Sequence, residues 1–150
     1  MVEEYPKLAE VFRKELGSAL LGYQYIAEKK TFMAIVDRGS VIKALELVNK
    51  ICGGEVHFTS INGADLGEDY IELTYFMWLL PQKIRVAIRT RVPKSDLRIQ
   101  SAVSVMPATI LYEREVHEML GVVFEGHPKL ERLFLPEDWP EGVYPLRRRS

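Results

Sequence analysis

Cysteine is nearly absent from this sequence, since Cys52 is the only one among 150 residues. A disulfide within the chain is therefore excluded, and so is an iron–sulfur cluster held by the usual four thiolates of one polypeptide. Net charge is also small, because 20 basic residues face 21 acidic ones and leave a formal charge of −1. This balance gives no electrostatic reason to expect nucleic acid or an anionic membrane as the main partner.

Long hydrophobic runs are missing as well. The apolar stretch at 76–80 is far shorter than the roughly 18–20 residues that cross a bilayer. The N-terminus is acidic, whereas a signal peptide begins with basic residues. We therefore expect a chain that neither crosses a membrane nor is secreted, and the lone cysteine fits a cytoplasmic setting. With 47% apolar residues, a chain of this length is expected to form one ordinary folded domain.

Three stretches have the apolar spacing of amphipathic helices. The first is predicted over 6–17, the second over 40–52 and the third over 107–120. Pro107 opens the third helix and Gly121 ends it, in the positions where helices favour these two residues.

Alternating apolar and polar residues predict five strands between these helices. Two strands form a hairpin within 20–36, two more are expected at 55–61 and 69–80, and the fifth lies at 83–92. In the fifth strand the basic side chains occupy one face, as in an antiparallel sheet that is solvated on one side. The basic set is Lys83, Arg85, Arg89 and Arg91, and the apolar set is Ile84, Val86, Ile88 and Val92.

The last part of the chain shows no clear period. Four of the eight prolines lie in 125–150, spaced between large apolar residues. Because these prolines prevent a continuous helix and limit strand pairing, they predict an extended tail. The expected fold class is therefore α+β, a mainly antiparallel sheet with two or three packed helices and an extended C-terminal tail. We divide the chain into an α+β domain at 1–106 and a helix with its tail at 107–150.

The third helix carries side chains that could bind a metal. His117 and Glu118 resemble the start of the zinc-binding H-E-x-x-H motif, but its second histidine is missing. Glu113 and His117 are four residues apart and His127 follows, so a three-ligand site in a small soluble metal-dependent hydrolase is one hypothesis. The simpler interpretation is two ordinary i, i+4 pairs, Glu113–His117 and Arg114–Glu118, each worth about 0.2–0.5 kcal/mol.

A basic stretch suggests a different class of protein. Residues 83–98 include six basic side chains and one acidic one, which is compatible with a stripe for RNA or DNA. Strand alternation also explains the stretch as a solvated face or a sheet edge, where Lys and Arg discourage unwanted pairing. The terminal Arg147, Arg148 and Arg149 leave a similar choice between a solvated end and a set of donors for the carboxylates of a partner.

Residues 112–147 carry a long motif that spacing rules do not explain. It runs Y-E-R-E-V-H-E-M-L-G-V-V-F-E-G-H-P from Tyr112 to Pro128, then L-F-L-P-E-D-W at 133–139 and P-L-R at 145–147. The motif closely resembles the signature of the complex I thirty-kilodalton subunit family. That family includes the C subunit of bacterial NADH:quinone oxidoreductases and counterparts in membrane-bound hydrogenases and related archaeal complexes. Further similar segments lie at 61–65, 70–80 and 101–104.

The resemblance implies a non-catalytic, peripheral-arm subunit whose tail lies against a hydrogenase-like large catalytic subunit. It implies no cofactor in this chain, because neighbouring subunits carry the iron–sulfur clusters and the quinone-reducing, hydrogen-evolving or sulfur-reducing centre. The implied location is the cytoplasmic face of the cell membrane, reached through partner subunits only, in support of electron transfer coupled to ion translocation. The positions that match the family, and for which docking is implied, are Glu113, Arg114, Glu115, Gly121, His127, Pro128, Arg132, Asp138 and Arg147. Trp139 and Arg148 complete the predicted subunit interface.

Two departures from the family pattern indicate a branch. His117 and Glu118 stand where members often have an aromatic residue and an aspartate, and the arginines at 147–149 stand where quinone-linked members commonly have R-K-D. These differences favour the shorter, archaeal hydrogenase-type or sulfur-reducing branch.

The tail is expected to gain its order from the partner. Burying a large apolar side chain yields roughly 1.5–3 kcal/mol, whereas ordering each residue costs about 1–2 kcal/mol, so charge-assisted bonds must add to the burial. Arg132, Arg147 and Arg148 are predicted to supply those bonds to the large subunit. On this basis the tail would be unprotected from hydrogen exchange in the free chain.

Overall fold

The computed structural model describes residues 4–148 and has the α+β architecture expected from the sequence. All three predicted helices and all five predicted strands are present. Most ends are close to the predicted ones, but the third strand continues to Asp65, four residues beyond its predicted end at 61. The elements are α1 (Glu4–Leu16), β1 (Leu20–Ile26), β2 (Thr31–Val36), α2 (Val41–Ile51), β3 (Val56–Asp65), β4 (Tyr70–Leu79), β5 (Ile84–Pro93), β6 (Arg98–Gln100), α3 (Thr109–Leu120) and β7 (Val123–Glu125).

Five strands form one mixed sheet in the order β1-β2-β5-β4-β3. Its pairs are antiparallel except β2–β5, which is parallel, with Ala34 opposite Ile88. The chain must therefore leave β2, pass through α2, β3 and β4, and return along β5 beside the strand it left. The two remaining strands, β6 and β7, form a separate parallel pair.

The helices lie on one face of the sheet. The ring of Phe12 on α1 meets Phe32 on β2 edge to face, with 5.3 Å between centroids. On α3, Val116 and Leu120 pack over Gly63 of β3, where an added Cβ would clash with a Leu120 methyl carbon. The fully buried large side chains of β4 and β5 share this face by register, and they are Ile71, Leu73, Tyr75, Met77, Leu79, Ile84 and Ile88.

The opposite face of β4 and β5 has no large side chain that is fully buried. We call it the open sheet face, and its residues are Tyr70, Glu72, Thr74, Phe76, Trp78, Arg85, Ala87, Arg89 and Arg91. The predicted alternation along the fifth strand is thus confirmed, and the sheet is solvated on one side. Lys83 is the exception, because it lies in the turn before β5 with a φ of +56°.

The C-terminal segment at 126–148, which we call the tail, contains neither helix nor strand. It lies against α3, and the backbone N–H of Leu146 donates to the carbonyl oxygen of Met119 at 2.9 Å. Within 4–148, none of the helices has the length and apolar content needed to span a bilayer. The division of the chain into 1–106 and 107–150 stays a prediction, although Val116 and Leu120 of α3 belong to the same apolar core as the sheet.

Candidate functional site

The motif helix α3 carries two buried carboxylates, Glu113 and Glu118. They are five residues apart, which places them roughly 140° apart around an α-helix. Each carboxylate therefore reaches a different part of the chain. A third buried carboxylate, Asp65, lies at the end of β3.

Glu113 is completely buried and holds the segment that follows β6. One carboxylate oxygen accepts a hydrogen bond from the Ser101 hydroxyl at 2.6 Å, and the other accepts from the Ala102 backbone N–H at 2.7 Å. Burial raises the pKa of Glu113, and this outweighs the opposing effects of those two donors and of His127. The side chain thus joins α3 to the 101–102 backbone inside the core.

Glu118 holds the first turn of the tail. Its carboxylate accepts backbone N–H groups from Leu133 at 3.0 Å, Phe134 at 2.8 Å and Leu135 at 2.8 Å. Burial acts to raise the pKa of Glu118, but these three donors and the charge of Arg132 lower it below its ordinary value. Three backbone donors that would otherwise lack a partner are therefore satisfied by one ionised side chain.

Two arginines continue this arrangement along the tail. Arg114 of α3 donates from Nη2 to the carbonyl oxygen of Arg132 at 2.8 Å. Arg132 in turn donates to three carbonyl oxygens further along the tail, those of Pro136, Glu137 and Trp139. The 132–139 loop is consequently closed around the Arg132 guanidinium group.

Asp65 holds the end of the described tail. Its fully buried carboxylate accepts from the Lys94 ammonium at 2.8 Å, from the Arg148 backbone N–H at 2.8 Å and from the Gly67 N–H at 3.0 Å. The Arg147 Nε atom lies 3.5 Å away. The hydrogen bond from Lys94 is the main reason that the pKa of Asp65 lies well below its usual range.

Gly121 allows the tail to approach the end of α3. The helix ends there with a φ of +85°, a conformation that side chains other than glycine rarely adopt. A Cβ atom at this position would lie 2.7 Å from a ring carbon of Tyr144. Glycine is therefore needed both for the backbone conformation and for the contact with the tail.

The tail arginines have acceptors within the chain, and their contacts with a second subunit stay a prediction. Arg132, Arg147 and Arg148 were predicted to donate to a second subunit, yet all three donate to acceptors within the chain. Arg149 lies outside the described residues. The reason is that Asp65, 83 residues before Arg148, is brought beside it by the sheet, and sequence spacing cannot reveal such a contact.

The remaining predicted interface residues differ in exposure. Glu115, Pro128 and Asp138 are exposed, whereas Glu113 is completely buried and so cannot meet a partner directly without a rearrangement. Trp139 is half-buried, and its Nε1 donates to the carbonyl oxygen of Val143 at 2.8 Å. Whether any of these side chains contacts another subunit stays a prediction.

The metal-site hypothesis has no support in the donor geometry. The His117 Nδ1 atom lies 2.8 Å from the Val122 carbonyl oxygen, and the His127 Nε2 atom lies 2.8 Å from that of Ile110. In the described part of the chain, no three or more His, Cys, Asp or Glu side chains are placed to hold a metal ion. The two i, i+4 ion pairs of α3 do not form there either, because Glu113 and Glu118 bind the groups named above.

Several apolar side chains of this region point into solvent instead of the core. The tail exposes 63% of Phe134, 58% of Leu146 and 44% of Val143. Leu111 of α3 is 52% exposed and, seven residues before Glu118, shares the tail-facing side of the helix. We call these four side chains the apolar tail surface. Six large apolar residues of the tail were predicted to need burial. Phe134 and Leu146 are exposed in the described chain, whereas the other four are half-buried, and they are Leu133, Leu135, Trp139 and Tyr144.

Comparison with known proteins identifies the family. A family model described as "Respiratory-chain NADH dehydrogenase, 30 Kd subunit" matches residues 34–150. The chain belongs to this family. Among its relatives, the C subunit of NADH-quinone oxidoreductase from Acidothermus cellulolyticus is 30% identical over 91% of this chain and 68% of its own length. The beta subunit of the membrane-bound hydrogenase from Pyrococcus furiosus is 35% identical over 62% of this chain and 55% of its own length.

Other relatives are longer than this chain, and solved structures share its fold. The C subunit of F(420)H(2) dehydrogenase from Methanosarcina mazei is 34% identical, over 61% of this chain and 58% of its own length. The chain thus spans little more than half the length of several curated relatives that it matches. A chain in the structure of an archaeal membrane-bound sulfane sulfur reductase superposes with a TM-score of 0.79 at 21% identity, covering 97% of this chain and 84% of that one. A trypsin-resistant fragment of Nqo5 superposes with a TM-score of 0.65 at 22% identity, covering 83% of this chain and 99% of the fragment.

Proposed function

We propose that this chain is a non-catalytic, peripheral-arm subunit of a membrane-bound oxidoreductase complex of the complex I kind. Family membership supports this proposal, because relatives are named as subunits of NADH-quinone oxidoreductase, of a membrane-bound hydrogenase and of F(420)H(2) dehydrogenase. In this proposal the chain docks on a hydrogenase-like large catalytic subunit and lies next to the iron–sulfur subunits. It holds no cofactor and supplies no catalytic residue.

The observation that carries the proposal is the apolar tail surface on a segment that is already fixed. Exposed apolar side chains grouped on one segment are typical of a protein–protein interface. Glu118 and Asp65 hold the backbone of that segment at two places, residues 133–135 and residue 148. Because a segment ordered in advance loses less conformational entropy on binding, the fixed tail favours a permanent docking role.

The location and the branch belong to the same proposal. The chain would reach the cytoplasmic face of the membrane through its partners only, and other subunits would couple electron transfer to ion translocation. The hydrogenase-type or sulfur-reducing branch is proposed from the residues at 117, 118 and 147–149. Genes for a hydrogenase-like large subunit and antiporter-like membrane subunits beside this one would support that assignment.

Affinity purification of the tagged chain from its native host tests the docking surface. Phe134→Ser with Leu146→Ser should lower the recovery of the large subunit at least tenfold, since each substitution removes apolar contact worth roughly 1.5–3 kcal/mol when fully buried, and about 1.4 kcal/mol is already tenfold in affinity. Leu80→Ser is the matched control, because Leu80 is 54% exposed in the turn after β4, away from the tail. All variants should melt near the wild-type temperature, because the substituted side chains are outside the core.

Equal recovery of the large subunit with the double variant and with Leu80→Ser would contradict the assigned surface. Recovery of no other subunit with the wild-type chain would contradict the proposed function itself.

A further inference from the structure

The open sheet face is separate from the proposed docking surface on the tail. It lies on the side of β4 and β5 opposite to α3 and the tail, and Phe76 and Trp78 are only half-buried there. Apolar rings on a sheet face normally pack against another layer. The chain itself supplies such a layer on the helix side only, as the fully buried side chains of β4 and β5 show.

Arginines lie over the aromatic rings at both ends of this face. The guanidinium carbon of Arg85 is 5.0 Å from the ring centroid of Trp78, and that of Arg91 is 4.5 Å from the ring centroid of Tyr70. Stacking on an aromatic ring holds a guanidinium group in place without using its N–H donors. The donors of both arginines therefore remain available to an incoming acceptor.

The charges on this face are unbalanced. Arg89 is paired, since its Nε lies 3.2 Å from a Glu72 carboxylate oxygen and donates to the Thr74 hydroxyl at 3.0 Å. Among residues 4–148, neither Arg85 nor Arg91 has an ion-pair partner. The Arg85 Nε atom is also buried without any hydrogen-bond acceptor. An incoming carboxylate would therefore meet the Nη donors of Arg85, and the buried Nε gains an acceptor only if the side chain shifts.

We infer that the open sheet face is a second docking surface, which takes a carboxylate-bearing segment of a neighbouring protein subunit. Its carboxylates pair with Arg85 and Arg91, and its apolar side chains cover Phe76 and Trp78. Arginine and aromatic residues are the types that most often dominate protein–protein interfaces. The inference rests on the proposed function, because it requires that the chain work within a complex, but it uses the other side of the sheet.

Two other occupants fit this face less well. Nucleic acid is recognised by neutralising many phosphates, whereas only two arginines here lack an acidic partner and Glu72 lies beside them. A second copy of the chain in a symmetric pair would bring the same two unpaired arginines against each other, and like charges across an interface cost free energy. An acidic protein segment meets neither objection.

A cross-linking experiment on the intact, affinity-purified complex tests the inference. Arg91→Lys keeps the positive charge and introduces an amine that a carbodiimide couples to a nearby carboxylate. Arg13→Lys is the matched control, because Arg13 of α1 also lies over a tyrosine ring, that of Tyr23, at 5.7 Å. Mass spectrometry should find a link from position 91 to an aspartate or glutamate of another subunit, beyond any link to Glu72, and no such link from position 13.

A second arm measures the contribution of the charges. Arg85→Glu with Arg91→Glu should lower the recovery of the cross-linked subunit about tenfold at low salt. Arg85→Lys with Arg91→Lys should largely preserve it. Hydrogen exchange of the free chain checks that β4 and β5 remain folded in both double variants.

Three outcomes would overturn the inference. They are a complex in which position 91 gives no link to another subunit, a link only to a second copy of this chain, and nuclease-sensitive material bound through this face. If any of these occurs while Phe134→Ser with Leu146→Ser still releases the large subunit, the proposed function stands and the second docking surface fails. If the wild-type chain recovers no other subunit, both fail together.

Discussion

Replacing Glu118 by glutamine is the most direct perturbation of the tail. The carboxylate accepts three backbone N–H groups from residues 133–135, all at 3.0 Å or less. Glu118→Gln keeps the size of the side chain and one acceptor oxygen. It removes the negative charge, and it turns an NH₂ group toward backbone donors that it cannot accept from.

The size of the effect follows from those three bonds. Each hydrogen bond to a charged group contributes about 1.5–3 kcal/mol. The glutamine oxygen can still accept one or two of the three hydrogen bonds, but each is weaker because the oxygen is neutral. Removing the charge also relieves the cost of burying it, which acts in the opposite direction. We therefore expect the free energy of opening the tail to fall by about 2–3 kcal/mol, which corresponds to roughly 30- to 150-fold faster exchange at residues 133–135.

Hydrogen exchange of the isolated chain measures this opening directly. Glu115→Gln is the matched control, because Glu115 lies on the same helix and is exposed, and it should leave the amides at 133–135 unchanged. Exchange within the buried helix α2 should stay the same in both variants. If Glu118→Gln speeds exchange at 133–135 no more than Glu115→Gln does, then the carboxylate does not hold the tail and the reasoning is wrong.

Three further predictions concern the other contacts of the tail. Asp65→Asn should lower the free energy of unfolding in urea by about 2 kcal/mol. Breaking a fully buried ion pair costs roughly 3–5 kcal/mol, but the two basic partners of Asp65 keep 24% and 27% of their side chains exposed, which reduces the loss. An unchanged free energy of unfolding would contradict the pairing. Gly121→Ala should destabilise the chain more than Gly126→Ala in thermal melts, by about 1–3 kcal/mol, since both glycines have positive φ but only the Cβ at 121 would meet Tyr144. Acid should destabilise the chain, because the pKa values of Asp65 and Glu118 are lowered in the folded state. Their contribution to stability is complete above their unfolded pKa values, near about 4, and is lost as the pH falls through their folded pKa values. In thermal melts between pH 6 and pH 2, the melting temperature of Asp65→Asn with Glu118→Gln should therefore depend less on pH than that of the wild type.

The elements of the fold were readable from local periodicity, but their arrangement was not. The second helix and the fifth strand are long enough for their apolar patterns to identify them. The strands β6 and β7 have three residues each, which is too short for an alternation to be recognised. The parallel pairing of β2 with β5 joins segments that are far apart in the chain, and no local pattern encodes such a pairing.

The tail contacts were missed for a related reason. Charges four residues apart on α3 suggested pairs on a solvated surface, whereas Glu113 and Glu118 are buried by segments outside the helix. One signal was available for Glu113. Glu113 lies one helical turn before Val116 and two turns before Leu120, so it falls on the same face of the predicted third helix as these apolar residues. For Asp65 and Glu118 the burying segments are irregular, and no periodicity places them.

The three buried carboxylates together indicate which property of the chain its function depends on. Burying an ionised carboxylate costs several kcal/mol, and apolar residues of similar size often stabilise a core equally well. Glu113, Glu118 and Asp65 each hold irregular backbone beside α3, at 101–102, 133–135 and 148, where regular hydrogen bonding is absent. A carboxylate can satisfy several such donors at once, whereas an apolar side chain satisfies none. Glu118 and Asp65 hold the tail itself, whereas Glu113 fixes the 101–102 backbone against the helix that the tail follows. The position of the tail relative to the sheet is therefore what these side chains maintain, as a surface that docks on a partner requires.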